Sequence, residues 1–252
     1  MPYPSLLFVH GAASGAWVWE TWRRHLRPFG WMTNVLDLRG HGLSLPMDFT
    51  TVTMEDYVAD LDSVTSQIAA QGRHPVIVGW SMGGLVAMIH ASRHTDTSGL
   101  VLLSPSPPME VQGRTPASQM AGFSIEPYGP EAYGIFSGDL EASRAAAPDL
   151  TDAELAQVLE QSKGALESGV ARRERRRGMS VPAADVHCPV LVMGGANDSN
   201  FSPETNQKVA DHFGGECVVL PDASHLGIVY HGPTVADAAL KLDTWLRRKI
   251  SK

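Results

Sequence analysis

The chain has 252 residues, of which 43% are hydrophobic and 19% charged, the balance of a globular protein large enough to bury a full core. Its formal net charge of −7 argues against a nucleic-acid partner. No positively charged leader and no long apolar run are evident, so we expect no signal peptide, no membrane contact and a cytoplasmic location.

Apolar runs typical of buried strands recur along the chain, with helical segments between them. They cover residues 5–9, 32–36, 75–79, 99–103, 189–193 and 216–220. Such alternation predicts an α/β fold, a mostly parallel sheet of about six strands with helices on both faces. Apolar residues at three- and four-residue spacing predict one amphipathic helix from Met54 to Ile68 and another from Val235 to Leu246.

The segment Gly79-Trp80-Ser81-Met82-Gly83 joins a strand-like run to an apolar stretch that suits a helix. A serine at such a corner adopts a strained backbone conformation and presents its hydroxyl above the sheet. Glycines two residues to either side avoid a collision across the tight corner. We therefore predict a nucleophile elbow, with Ser81 as the nucleophile and the following helix directing its N-terminus at the site.

The alternation stops between residues 105 and 187, where no strand pattern is evident. Thr151 and Glu154 have the spacing of a capping box and predict a helix through about Lys163. Residues 165–177 predict a second helix.

We accordingly divide the chain into an α/β core of residues 1–104 and 188–252 and a helical lid of residues 105–187, within one domain. The basic cluster at residues 172–177 is interpreted as a solvated helix face.

A serine hydroxyl needs a base to remove its proton, and the base needs an acid to orient it. In an open parallel sheet these groups are expected on loops that follow the strands. Asp198 follows the fifth strand-like run and His225 follows the sixth. Asp222 is a rival acid, but it lies three residues from His225 on the same loop, a poor position for orienting that ring. We predict a catalytic triad of Ser81, Asp198 and His225.

The oxyanion of an acyl-transfer reaction needs two backbone donors. We expect one from Met82, directly after the nucleophile, and one from Ala12 in the loop after the first strand, with Ala13 as the close alternative. His10 is expected to brace this loop. The histidines show no metal-ligand spacing, and the glycine segments lack the full dinucleotide and phosphate motifs, so we expect no metal and no cofactor.

These motifs together resemble the α/β-hydrolase superfamily over nearly the whole chain except the lid. They are His10-Gly11, the segment from Asp37 to Ser44, Gly79 to Gly84, Asp198 and His225. The chain looks most like small bacterial esterase-type members, and residues 10–17 are also similar to plant methylesterases and hydroxynitrile lyases. The resemblance implies the α/β-hydrolase fold with a helical lid inserted after the sixth family strand.

The residue at the nucleophile position separates members of the superfamily. Haloalkane dehalogenases and epoxide hydrolases resemble this scaffold but place an aspartate where Ser81 stands. Hydroxynitrile lyases keep the serine, but they typically have threonine in place of Gly11 and need a lysine near the catalytic histidine. Lys163 is the one lysine that we can suggest for that role.

The leading hypothesis is a carboxylesterase-like serine hydrolase that cleaves a small ester or related acyl compound through an acyl-enzyme. The same triad also suits carbon–carbon bond cleavage, thioester or lactone hydrolysis, perhydrolysis and hydroxynitrile lyase chemistry. A ligand-binding receptor on this fold is a further alternative, against which the complete triad argues.

Aromatic residues in the lid favour an apolar pocket and hence an apolar or aromatic small-molecule acyl substrate. The residues predicted to bind it are Ala13, Trp80, Phe123, Tyr133 and Phe136.

Overall fold

The structure, a computed structural model, describes residues 4–120 and 122–250. Six strands form one sheet in the order β2-β1-β3-β4-β5-β6, and every pairing between them is parallel. They are β1 (Leu6–Val9), β2 (Thr33–Leu36), β3 (Val76–Trp80), β4 (Gly99–Leu103), β5 (Val190–Gly195) and β6 (Glu216–Leu220). The predicted α/β fold with a six-stranded parallel sheet is confirmed, because each predicted run begins and ends within two residues of an observed strand.

The helices of the described chain lie between and after these strands. They are α1 (Glu20–Leu26), α2 (Met54–Ala69), α3 (Met82–Arg93), α4 (Met109–Gln112), α5 (Ala117–Met120), α6 (Leu140–Ser143), α7 (Asp152–Gln161), α8 (Gly169–Arg177), α9 (Pro203–His212), α10 (Gly227–Tyr230) and α11 (Gly232–Lys249). None of these helices is long and apolar enough to cross a membrane.

Each face of the sheet has its own hydrophobic core, because successive side chains of a strand point to opposite faces. Leu6 and Phe8 of β1 pack with α1 and α11 on one face. Leu7 and Val9 pack with α2, α3 and α9 on the other face.

The strand order places one crevice at the carboxyl edge of the sheet. From β1 the chain moves outward to β2, and it then returns to β3 on the opposite side of β1. The loops that follow β1 and β3 therefore diverge from two neighbouring strands, and the last residue pair between these strands is Val9 and Gly79. In open α/β sheets this reversal of strand order is where ligands bind.

Residues 105–187, which we call the lid segment, lie between β4 and β5 and contain α4 to α8. The capping box of Thr151 and Glu154 is present as predicted and opens α7, which ends at Gln161. The second helix, α8, begins at Gly169, later than the pattern predicts, because the Ser168 hydroxyl accepts a hydrogen bond from Ala171 N and caps it there.

Candidate active site

Ser81 lies at the corner between β3 and α3 with φ 54° and ψ −118°. A non-glycine residue with positive φ is strained, and the surrounding backbone holds this one in place. Ser81 N donates to Leu103 O at 3.0 Å, while Ser81 O accepts from Gly84 N at 3.0 Å and Ser106 N at 2.9 Å. These three bonds tie the corner to β4, to the first turn of α3 and to the start of the lid segment.

The two flanking glycines allow the corner to approach β1. A Cβ atom on Gly83 would lie 2.3 Å from His10 O and 2.4 Å from Val9 O, and one on Gly79 would lie 2.4 Å from Gly83 O. A side chain at Gly83 would push the corner away from the end of β1, and one at Gly79 would collide with the backbone at the start of α3. The glycine spacing thus brings the serine next to the loop that was predicted to hold the oxyanion.

Asp198 and His225 meet across the loops that follow β5 and β6. His225 Nδ1 lies 2.8 Å from Asp198 Oδ2, and the other carboxylate oxygen accepts from Asn200 N at 2.7 Å and Phe201 N at 2.9 Å. Burial by itself would raise the pKa of Asp198, but the charge and hydrogen bond of His225, with the Phe201 N–H, lower that pKa. An ionised carboxylate on Nδ1 leaves His225 Nε2 to accept a proton. Asp222, the rival acid, is exposed in a turn and makes no hydrogen bond to the ring.

Two aromatic side chains fix the His225 ring. The Trp80 ring centroid lies 5.2 Å from it in a tilted arrangement, and the Phe201 centroid lies 5.5 Å away, edge to face. Trp80 Nε1 also donates to His225 O at 3.2 Å. Trp80, predicted to bind substrate, therefore also holds the imidazole in place.

The loop after β1 presents one free amide beside Ser81. Ala13 has φ 50°, and its N–H donates to Glu167 Oε2 at 3.2 Å. The N–H groups of Ala12 and Met82 have no acceptor among the described residues, as expected for Met82 at the first position of a helix. Ala12 and Met82, rather than Ala13, thus remain available to an oxyanion.

His10 supports the loop after β1 through hydrogen bonds of both of its ring nitrogens. Its Nε2 accepts from Leu38 N at 3.1 Å, so Nδ1 carries the proton and donates to Gly11 O at 2.8 Å. Burial and the neighbouring His41 lower the pKa of His10 to about 4, which keeps the ring neutral at neutral pH.

Glu167 of the lid segment is a fully buried residue of the site that sequence reasoning missed. Its Oε1 accepts from Tyr57 Oη at 2.5 Å and Ser168 N at 2.7 Å, and its Oε2 lies 3.3 Å from His41 Nε2. Burial would raise the pKa of Glu167, but His41, followed by Arg175 and Tyr57, lowers it to about 2. An ionised carboxylate from the lid segment therefore holds Ala13. No feature of the neighbouring sequence indicates this role of Glu167, since its partners Tyr57 and Ala13 lie 110 and 154 positions away in the chain.

Ser81 and His225 line one cavity of about 330 Å³. Of the residues predicted to bind substrate, three line this cavity and two do not. Ala13, Trp80 and Tyr133 line it, together with Ala12. Phe123 and Phe136 lie outside its lining, and Phe136 is 40% exposed. Apolar character alone does not tell which of two successive loop residues points inward, and here Ile135, not its neighbour Phe136, lines the cavity.

The basic cluster also differs from its predicted role as a solvated face. Arg173 and Arg177 are exposed, but Arg175 is only 9% exposed and donates from Nη2 to Tyr128 Oη at 2.9 Å. Residues four apart share one face of a helix, so Arg175 lies on the same side of α8 as the buried Ala171. Because most of its neighbours in the sequence are also charged, the buried position of Arg175 could not be recognised from the sequence.

Lys163, the lysine suggested for a lyase, lies on a second cavity together with Asp37 and His41. No lysine is among the described residues that line the cavity of Ser81 and His225. The lysine expected near the base of a hydroxynitrile lyase is therefore missing from that cavity.

A separate cluster corrects the expectation that no histidines have metal-ligand spacing. Asp62 on α2, His90 on α3 and His94, the residue directly after α3, each bring one ligand atom within 4.8 Å of the others. Asp62 Oδ1 lies 2.5 Å from His90 Nδ1 and 3.2 Å from His94 Nε2, so the three side chains already partner one another. None of them lines the cavity of Ser81 and His225.

Fold and site together are those of an α/β hydrolase, and comparison with known proteins agrees. The alpha/beta hydrolase family matches residues 6–238, and the chain belongs to that family. It is 26% identical over 251 residues to a pimeloyl-[acyl-carrier protein] methyl ester esterase from Neisseria meningitidis serogroup B, covering 90% of this chain and 88% of the relative. A protein of the same name from Chromobacterium violaceum is 28% identical over 214 residues, covering 79% and 78%.

Among solved structures, a putative aryl esterase from Burkholderia cenocepacia superposes with a TM-score of 0.72 at 20% identity, over 100% of this chain and 92% of that one. At this identity the likeness concerns the fold alone. The resemblance to esterase-type members of the superfamily, first drawn from the sequence motifs, is confirmed by the family match and by the relatives, and the chain is accordingly an enzyme of this hydrolase family.

Proposed function

We propose that this enzyme is a serine carboxylesterase that cleaves a small ester through an acyl-enzyme intermediate. Ser81 is the nucleophile, His225 the general base and Asp198 the acid that orients it. The observation that carries the proposal is that Ser81 and His225 line the same cavity while Asp198 holds Nδ1 of that histidine at 2.8 Å.

In the first half of the reaction the Ser81 hydroxyl attacks the ester carbonyl and passes its proton to His225 Nε2. The negative charge that develops on the carbonyl oxygen is met by the N–H groups of Ala12 and Met82, each donor typically contributing about 3 kcal/mol in the transition state. The tetrahedral intermediate then collapses. His225 returns the proton to the departing alcohol, and the acyl group stays on Ser81.

In the second half a water molecule takes the place of the alcohol. His225 removes its proton, the resulting hydroxide attacks the acyl-enzyme, and the carboxylic acid leaves as Ser81 recovers its proton. The ionised Asp198 stabilises the imidazolium formed in both halves and keeps the proton on Nδ1 when the ring is neutral.

The walls of the cavity support a substrate with a small apolar body. Trp17, Ile135, Val158 and Tyr230 line it, and its volume of about 330 Å³ suits a short acyl chain. The relatives named above support an ester as the bond cleaved, and at 26% identity they leave the acyl group to be determined for this chain.

Hydrolysis of p-nitrophenyl acetate and butyrate tests the proposal, with Ser106→Ala as the matched control. Ser106 is a second serine on the same cavity, so its loss removes a hydroxyl without removing the nucleophile. We expect Ser81→Ala to lower kcat by about 10⁶-fold and Ser106→Ala to change it by less than about threefold. A mass increase of one acyl group on Ser81 during turnover would identify the intermediate. Turnover that survives in Ser81→Ala would refute the proposed nucleophile.

A further inference from the structure

Arg175 is a buried cation whose charge no neighbouring carboxylate neutralises directly. Its side chain lines the cavity of Ser81 and is 9% exposed. Within residues 4–120 and 122–250 it forms no ion pair, its Nε has no hydrogen-bond partner, and Nη2 donates to the neutral Tyr128 hydroxyl. Because a guanidinium stays protonated at any ordinary pH, burying one without an anion is unfavourable.

The nearest buried anion is already engaged elsewhere. Glu167 attracts Arg175 through space, but its two oxygens accept from Tyr57, Ser168 and Ala13 and lie beside His41. The burial of Arg175 is therefore not explained by an ion-pair partner of its own.

A second arginine also lines the same cavity. Arg176 follows Arg175 on α8, is exposed, lines the cavity, and forms no ion pair with any carboxylate that the structure describes. No aspartate or glutamate is among the described residues that line this cavity. Two cations and no lining carboxylate give the cavity a positive potential at its α8 wall.

We propose that Arg175 and Arg176 bind a carboxylate at the end of the substrate remote from the ester. The preferred substrate is then a half-ester of a dicarboxylic acid: an apolar chain with the ester at Ser81 and the free carboxylate at α8. A planar guanidinium pairs with a carboxylate through two parallel hydrogen bonds, and a carboxylate is small enough to leave room for the chain. This inference rests on the proposed esterase function and replaces a wholly apolar substrate with one that carries a single charge.

The test compares two series of methyl esters by the acid they release in a pH-stat. One series is the monomethyl esters of glutaric, adipic and suberic acids, and the other is the same esters with the free acid replaced by a primary amide. We expect kcat/KM to be at least about tenfold higher for the best half-ester than for its amide, since a charged hydrogen bond is lost in the amide.

Arg176→Gln should remove most of this preference by raising KM for the half-ester about fivefold or more, with the amide unaffected. Arg177→Gln is the matched control, because Arg177 is exposed on the same helix and does not line the cavity. Arg175→Gln should abolish the preference, and its melting temperature shows whether the variant is folded. Equal use of half-ester and amide by the wild type, or equal effects of Arg176→Gln and Arg177→Gln, would overturn the proposal.

A binding measurement separates this inference from the esterase proposal. Calorimetric titration of glutarate and adipate into Ser81→Ala reports the carboxylate site without turnover. We expect binding that weakens about tenfold when Arg176→Gln is added and is unchanged by Arg177→Gln. Binding without any ester hydrolysis by the wild type would refute the esterase alone. Hydrolysis of p-nitrophenyl acetate that depends on Ser81, with no carboxylate binding, would refute the carboxylate site alone.

Discussion

Two buried carboxylates hold the site together, Asp198 from the core and Glu167 from the lid segment, and they do so in different ways. Asp198 accepts from the His225 ring and from two N–H groups only two and three positions along its own loop. Glu167 accepts from Tyr57 on α2 and from Ala13 after β1, and it lies beside His41. Asp198 thus orients one ring, while Glu167 links three separate parts of the chain.

The comparison shows that the lid segment is structurally part of the site. Through Glu167 it fixes the peptide next to Ala12, and through Arg175 it supplies a cation to the cavity wall. Both Asp198 and Glu167 have lowered pKa values, but only Asp198 touches His225, the histidine that we propose as the base. We therefore expect Asp198 to act on the charge that develops during reaction and Glu167 to act on geometry.

The largest loss of kcat is expected when Asp198, the carboxylate of the core, is changed. Asp198→Asn keeps the shape of the side chain but allows the proton on His225 to shift to Nε2, where it cannot serve as a base, and should lower kcat about 10⁴-fold. Asp222→Asn, on the loop of His225 but away from its ring, should leave kcat within about twofold. Steady-state hydrolysis of p-nitrophenyl butyrate measures both, and similar losses in the two variants would contradict the assignment of the acid.

A smaller loss of kcat is expected when Glu167, the carboxylate of the lid segment, is changed. Glu167→Gln keeps a group that can accept from Ala13 but loses the charge beside His41, so the loop after β1 should hold the Ala12 amide less firmly. Loss of a whole oxyanion donor costs about 10²- to 10³-fold in kcat, and a displaced donor should cost about tenfold with KM nearly unchanged.

Glu154→Gln is the control for that variant. Glu154 is also on the lid segment with a pKa lowered to about 2, but it bonds to Thr151, His231 and Gly232, away from the loop after β1. A fall in kcat of equal size in Glu154→Gln would show that Glu167 acts only through general stability of the lid segment.

The lowered pKa of Glu167 also predicts how the stability of the protein is lost in acid. The pKa of Glu167 falls from its ordinary value of 4.5 to about 2 in the folded protein, so its contribution is complete above pH 4.5 and is lost as the pH falls from 4.5 toward 2. The melting temperature of Glu167→Gln should therefore fall less than that of the wild type over this window. The pKa of His10 is lowered from its ordinary value of 6.5 to about 4. Its contribution to the stability is therefore lost mainly between pH 6.5 and pH 4, where the stability also decreases as the pH decreases. Parallel melting curves of the two proteins below pH 4.5 would contradict the role of Glu167.

The same comparison explains what could be predicted from the sequence. Ser81, Asp198 and His225 each follow a strand whose apolar run is visible, and a parallel sheet places the ends of its strands at one edge. Their proximity could thus be inferred although Asp198 and His225 are 27 positions apart. Glu167 and Arg175 follow no such rule. A charged residue in a polar segment is exposed in most proteins, and burial here depends on partners from distant parts of the chain.

The smallest effects on stability and on kcat/KM are expected for aromatic and aliphatic side chains of the lid segment. They test whether the lid segment contributes to the cavity through only a few inward-facing residues. Phe136, 40% exposed and outside the cavity lining, should tolerate Phe136→Ser with less than about 0.5 kcal/mol of lost stability and kcat/KM within about twofold. Its neighbour Ile135 is 5% exposed and lines the cavity, so Ile135→Val should cost about 1 kcal/mol and enlarge the space for the acyl chain. The ratio of kcat/KM for p-nitrophenyl butyrate to that for the acetate measures this space. A change in the ratio for Phe136→Ser but not for Ile135→Val would mean that Phe136 turns inward when substrate binds, and that the lid segment rearranges in the reaction.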